Sequence, residues 1–473
     1  MFMDSPQMDR NPSPPPNRDD ETGEEDDAIG DTVYSKHWLF STLTRLIQMV
    51  TEQDSEQGQG LTELSDELEE ELCKVWDMAM DKDVAGFLQE FKTPDILLGV
   101  IAKSRNPRLT EICIGILGNM ACFPETCVFI SQNDGLGAVL LLLLGDSDPP
   151  TLLETCRLLL TCVSQPDVSP LWLQRIQQQT ATCKSLCFIM RSSTNVDLLI
   201  KVGELVDKLF DEDEELMKSW LSRPTSETDQ DQDKDTHQDV ASALLEAAVQ
   251  LRKESPKALE AYLHALQLLT TIDEGMQNLV SRMCAVTDEG CGVSLWKMVC
   301  EVVCEDLCQP DDPPLILQEQ KALLAPALAI LSALYGNLQT NISSELVASL
   351  LRILYFDNEN QQEVHQESGE PQTDGKTDED RDVQLQVLAE IAAELLSTLI
   401  THLPKDVVTE LLKMDHLTEK IWVSAMKTML PQHNASVLCF INTLMEVEPK
   451  LADVIKKECS IASESNEPKP QPV

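Results

Sequence analysis

The 473 residues carry 81 acids against 36 bases, a formal net charge of −45, with 42% apolar and only 4% aromatic residues. That apolar share is enough to bury a sizeable core, which Leu, Ile, Val and Ala must fill. So acidic a surface repels phosphate backbones and anionic headgroups, which sets aside direct binding to nucleic acid or membrane.

No basic-then-apolar leader opens the chain. The longest greasy run, 135–145, is far shorter than the roughly 20 residues of a membrane span. The protein is read as soluble and intracellular, and its 15 cysteines as free thiols packed like small hydrophobes.

In chain order, residues 1–32 come first, with ten acids, two bases and a proline-rich stretch. They read as a disordered tail, because nothing there offsets the entropy of ordering. Apolar positions at three- and four-residue spacing then predict helices over 38–50, 61–80, 112–123, 152–163 and 198–210, a first set of helical repeats spanning 33–221. An acidic loop follows at 222–239, read as disordered. Central repeats over 240–356 hold helices at 262–272 and 315–338. Ten acids and two bases mark a second disordered insert at 357–382. C-terminal repeats over 383–461 hold helices at 385–403 and 437–447, and 462–473 reads as a last tail. Alternating β-branched runs are nearly absent, so the class is all-α.

The punctuation repeats. Asn106-Pro107, Asp148-Pro149 and Asp312-Pro313 each set a capping side chain directly before a proline, the order expected of an N-cap and first helical residue. The first two prolines are 42 residues apart and the third lies 164 further on, close to four more units. A period of about 40–47 residues with two or three helices per unit marks an armadillo-like or HEAT-like α-solenoid. The run Glu111-Ile-Cys-Ile-Gly-Ile-Leu-Gly-Asn-Met-Ala-Cys122 resembles the third helix of an armadillo repeat. In such a helix small residues allow close packing and an Asn faces the groove; Asn119 holds that position. Glu111 lies eight residues earlier, on nearly the same side. Together they are candidate contacts for a basic, extended partner segment: carboxylate for charge, amide for backbone pairing. The plain alternatives are an amide satisfied by neighbouring backbone and an acid stabilising its helix N-terminus.

Several blocks together resemble the serum amyloid A-like, synoviocyte proliferation-associated family: Tyr34-Ser-Lys-His-Trp-Leu-Phe40, Val75-Trp-Asp-Met78, Gly118-Asn-Met-Ala-Cys-Phe123, Asp146-Ser-Asp-Pro-Pro-Thr-Leu-Leu-Glu154 and Ser193-Thr-Asn-Val-Asp-Leu-Leu199. The likeness implies an armadillo-like, nuclear, non-enzymatic protein associated with promoting cell proliferation under inflammatory stimulus. It assigns no binding residues. Karyopherin-type armadillo repeats place a Trp four residues before the groove Asn, where this chain has Gly115.

Catalytic and cofactor signals are missing. There is no nucleophile elbow, Gly-rich phosphate loop or His-Glu-x-x-His, so no enzyme and no cofactor is expected. Cys300, Cys304 and Cys308 share a helical face, but ligands for tetrahedral zinc converge from separate elements. Core packing is the expectation there, with no metal. The remaining alternative is a carrier that shields basic cargo with its acidic surface.

Overall fold

The computed structural model describes residues 27–55, 64–221, 239–280, 295–310, 320–337, 342–367 and 383–459. The described chain opens on a cap. The Asp27 carboxylate accepts from the Ser35 hydroxyl and from the His37 N–H (2.8 Å) at the start of α1 (Lys36–Ser55). Ile29 is buried and Ala28 bridges Ser35. Gly30 turns the backbone at φ +54°, where a Cβ would strike the Asp83 carboxylate. Residues 27–32, read as the end of a disordered tail, therefore belong to the folded unit. One buried isoleucine and a helix cap outweigh the local charge.

The helices come in threes. One repeat is formed by α2 (Asp66–Met78) with α1 before it, as its third and second helices. The next holds α3 (Lys82–Glu90), α4 (Thr93–Lys103) and α5 (Pro107–Met120). Then come α6 (Pro124–Gln132), α7 (Asp134–Leu143) and α8 (Pro149–Val163), followed by α9 (Ser169–Gln178), α10 (Ala181–Ser192) and α11 (Val196–Glu212). Third helices α2, α5, α8 and α11 pack side by side in succession, as do second helices α1, α4 and α7. This is the armadillo-like arrangement expected from the period.

Each third helix begins with the same device. Ser65, Asn106, Asp148 and Asn195 accept, through their side chains, the N–H three residues on, at 3.4, 3.2, 3.0 and 2.9 Å. Satisfying one orphan donor this way fixes where the helix starts. Replacing Asn106 with Ala is expected to cost about 1 kcal/mol, read as a lower urea midpoint. A short helix, α12 (Glu214–Leu221), follows, with Trp220 edge-on to Phe210 at 5.7 Å.

The chain divides into two compact units, 1–247 and 248–473, with the border inside α13 (Val240–Glu254). Of the loop expected at 222–239, residues 222–238 lie outside the described residues. The Arg191 guanidinium donates to the Asp239 carbonyl at 3.0 Å and pairs with Glu246 at 3.4 Å, holding the start of α13 to α10.

The C-terminal unit continues with α14 (Leu259–Thr270), α15 (Asp273–Asn278), α16 (Leu295–Glu301), α17 (Lys321–Tyr335), α18 (Ser344–Glu367), α19 (Val383–Thr401), α20 (Lys405–Leu411), α21 (Glu419–Val447) and α22 (Pro449–Glu458). Helices α14, α17, α19 and α21 pack in succession, and α18 lies against α19 and α21. The insert expected at 357–382 opens as helix: α18 runs on to Glu367. Asp357 is buried, Asn358 donates to the Ser424 hydroxyl at 2.6 Å, and Glu359 pairs with Lys420 at 2.9 Å. These contacts along α21 offset the repulsion among the acids; 368–382 lies outside the described residues. Helix α21 bends at His433 (φ −121°), two residues after Pro431, where the proline removes a ladder donor. The Asp312-Pro313 junction and the tails 1–26 and 460–473 also lie outside the described residues. Helix α19 is long and apolar enough to cross a membrane; Leu385, Leu388, Ala392, Leu395, Leu396 and Leu399 are buried within the unit.

Candidate functional site

Helix α5 is buried on nearly every side, from Leu109 to Met120, because third helices flank it on both edges. Its two interior glycines make that possible. A Cβ on Gly115 would lie 2.1 Å from the indole of Trp76, and one on Gly118 would lie 2.8 Å from the guanidinium of Arg157. Trp76 comes from α2 and Arg157 from α8, so each glycine is a socket for a large side chain one repeat away. The same device recurs at Gly137, where the Arg175 guanidinium lies 2.8 Å from a built Cβ.

Asn119 sits between these sockets and is 4% exposed. Its Nδ2 donates to the Trp76 carbonyl at 2.7 Å, and its Oδ1 accepts from Arg157 Nη1 at 3.0 Å. The Trp76 carbonyl belongs to the last turn of α2, where backbone acceptors lack intrahelical donors. One amide thus closes a helix end on one side and seats a cation on the other. Both its ends are committed within the protein.

Glu111 is also placed by its neighbours. Arg108 reaches Glu111 at 2.8 Å and Glu69 of α2 at 2.8 Å, and donates to the Cys73 sulfur at 3.4 Å. Burial pushes the Cys73 thiol upward, the nearby guanidinium opposing it only partly. Glu111 is the fifth residue of α5, whose first turn has no acid. Its carboxylate serves the Arg108 bridge more directly than the helix dipole, which acts within the first turn.

The pattern extends along the third helices. Lys74 pairs with Glu70 (2.9 Å), Arg157 with Glu154 (2.7 Å), Lys201 with Glu204 (2.5 Å) and Lys208 with Glu212 (2.5 Å), while Arg45 of α1 reaches Glu71 of α2 (2.7 Å). The structure brings Glu111 and Asn119 onto one helix between the same neighbours. It adds Trp76, Arg108 and Arg157, which sequence reasoning does not single out. Their signal is spacing: Trp76 precedes Asn119 by 43 residues and Arg157 follows it by 38, each about one repeat away.

Elsewhere, Cys308 is buried and Cys300 and Cys304 are partly so. Residues Val302–Leu307 wind as a π-helix, so the three sulfurs do not keep the i, i+4, i+8 register. Burial raises the Cys304 thiol to about 11. No group of three or more His, Cys, Asp or Glu suited to a metal occurs among the described residues. His37 is exposed and enters the capping of α1 through its backbone N–H.

Among solved structures, a designed armadillo repeat protein aligns at TM-score 0.40 and 14% identity, covering 62% of this chain and 99% of that one. Residues 182–437 match the family model described as the SAAL1 C-terminal domain. Protein saal1 of Danio rerio is 64% identical over 460 residues, covering 97% of this chain and 95% of that protein. Protein SAAL1 of Homo sapiens is 48% identical, covering 91% of this chain and 93% of its own length. With nearly the full length matched at such identity, the chain belongs to the SAAL1 family.

Proposed function

We propose that this protein is a non-enzymatic interaction scaffold that acts in the nucleus on cell proliferation, and that its third-helix face, centred on Glu111 and Asn119, receives a basic, extended segment of a protein partner. The nuclear and proliferative parts of the reading rest on the sequence blocks shared with the family. The partner chemistry rests on one observation. Lys74, Arg108, Arg157, Lys201 and Lys208 on the third helices each already hold an acid, as does Arg45 of α1 beside them. Acids outnumber bases six to one along α2, and even the paired Glu67 and Glu70 side chains are 78% and 71% exposed. Such a face offers carboxylates to an incoming cation and no unpaired cation to an anion. In this reading Asn119 holds the floor together while Glu111 and the exposed acids of α2 meet the partner.

A short fluorescent Lys- and Arg-rich peptide tests the charge argument on the full chain. Reversing two charges, Glu70→Lys with Glu111→Lys, is expected to weaken its binding about tenfold at low ionic strength, since rim charges act mainly through steering and complementarity. Proximity labelling in nuclei then names the natural partner. The net charge of −45 favours a second reading, an acidic carrier for basic cargo. That reading wins if the double reversal changes nothing while physiological salt abolishes binding, because unspecific acid strings are screened over about 10 Å.

A further inference from the structure

Cys127 of α6 and Cys162 of α8 meet inside one repeat. Their sulfurs are 3.9 Å apart, and both residues are wholly buried. Their surroundings are polar for a core. The Trp172 indole donates to the Ser131 hydroxyl at 2.8 Å, and the Arg175 guanidinium donates to the Ser131 carbonyl at 2.7 Å. Arg175 also lies over the Trp172 ring, 5.1 Å from its centroid. One hydroxyl, Ser131, and one cation, Arg175, thus act on a pair of sulfurs 3.9 Å apart. Among the described residues a second close pair, Cys183 and Cys187 at 4.0 Å, lies one turn apart on α10.

We propose that Cys127 and Cys162 are an oxidative modification site, a dithiol that hydrogen peroxide converts to a disulfide joining the first and third helices of this repeat. The Cys127 thiol donates to the Cys162 sulfur. Cys162 is raised well above its ordinary value, first by its bond with Cys127 and then by burial. One sulfur attacks as the thiolate and the other resolves, the arrangement expected of a redox-sensitive pair.

With Cys127 attacking, the chemistry balances in two steps. The Cys127 thiolate attacks one peroxide oxygen: an S–O bond forms, the O–O bond breaks, and the departing hydroxide takes a proton to leave as water. Cys127 is now a sulfenic acid. The Cys162 sulfur attacks the Cys127 sulfur: the S–S bond forms, the S–O bond breaks, and the second oxygen leaves as water with the Cys162 proton. Two electrons pass from the two sulfurs to one peroxide. The sulfurs must close from 3.9 Å to about 2.05 Å. Both sulfurs are buried, so peroxide must reach them through local opening of the repeat. The product would fix α6 to α8, the helix whose Arg157 holds Asn119, and so couple oxidation to the third-helix face.

The test uses the full chain, reduced and folded. It is treated with hydrogen peroxide, unfolded in an alkylating agent, digested and mapped by mass spectrometry. Expected is a Cys127–Cys162 linked peptide, lighter by about two hydrogens, lost on treatment with dithiothreitol. In Cys162→Ser, Cys127 is expected to react with a sulfenic-acid probe and form no link. If Cys127 and Cys162 are both recovered alkylated at peroxide levels that oxidise the exposed Cys122 and Cys439, the proposal fails. It fails equally if either sulfur links elsewhere. The wild-type map decides the matter even where the variant does not fold.

Discussion

Replacing Asn119 with Ala is expected to destabilise the N-terminal unit by about 2–4 kcal/mol, far more than loss of one exposed polar side chain. The cost lies in what is left behind. Removing the amide orphans the Trp76 carbonyl and withdraws one of three acceptors from Arg157, which also binds Glu154 and the Gly115 carbonyl at 3.2 Å. An unsatisfied buried group costs about 1–3 kcal/mol, and more when it is charged. Arg157 is less than one-third exposed, so water recovers little of that loss. A double-mutant cycle with Arg157→Ala checks the account: a coupling energy of at least about 1 kcal/mol is expected if the two act as a unit. Additive effects would mean that Asn119 stabilises by other contacts. The variant also bears on the partner reading. A partner test that relies on Asn119→Ala would confuse unfolding with lost contact, so charge reversal at the exposed Glu70 is the cleaner probe.

The repeat was legible where its punctuation was strong. Asn106-Pro107 and Asp148-Pro149 announce two third helices, and both caps stand in the structure. Ser65 and Asn195 do the same work without a following proline, so a search for cap-plus-proline passes over them. What Ser65, Asn106 and Asn195 share is a leucine three residues on, Leu68, Leu109 and Leu198, whose N–H is the capped donor. Capping chemistry needs only the oxygen; the proline is an optional reinforcement.

The lattice around Asn119 was less legible, because its members lie one repeat apart. Gly115 looks like a missing tryptophan when its own helix is read alone. In space the indole is present, supplied by Trp76 of the preceding third helix and admitted because Gly115 has no side chain. The acidic segments failed differently. Composition alone marks 27–32 and 357–367 as poor in apolar residues, yet a single buried Ile29 and the contacts of Asn358 and Glu359 with α21 order them. Average composition cannot register one well-placed anchor.

Leu117→Ala should cost about 2–5 kcal/mol, the range for truncating a buried leucine when its surroundings relax only partly. Leu117 is wholly buried in α5, where α2 and α8 pack on either edge. Both neighbours are tied to α5, α2 in its last turn through the Trp76 carbonyl to Asn119 and α8 at mid-helix through Arg157. Neither can slide into the space without breaking those bonds, which places the expected cost toward the upper end. In a stacked-repeat architecture each unit touches only its neighbours, so the damage should stay local. Amide hydrogen exchange reads this directly. Protection is expected to fall in α2, α5 and α8 while α17, α19 and α21 of the other compact unit keep theirs. A uniform loss across both units would show that the chain unfolds as one cooperative body. Unchanged exchange in α5 would show that Leu117 contributes little to packing there.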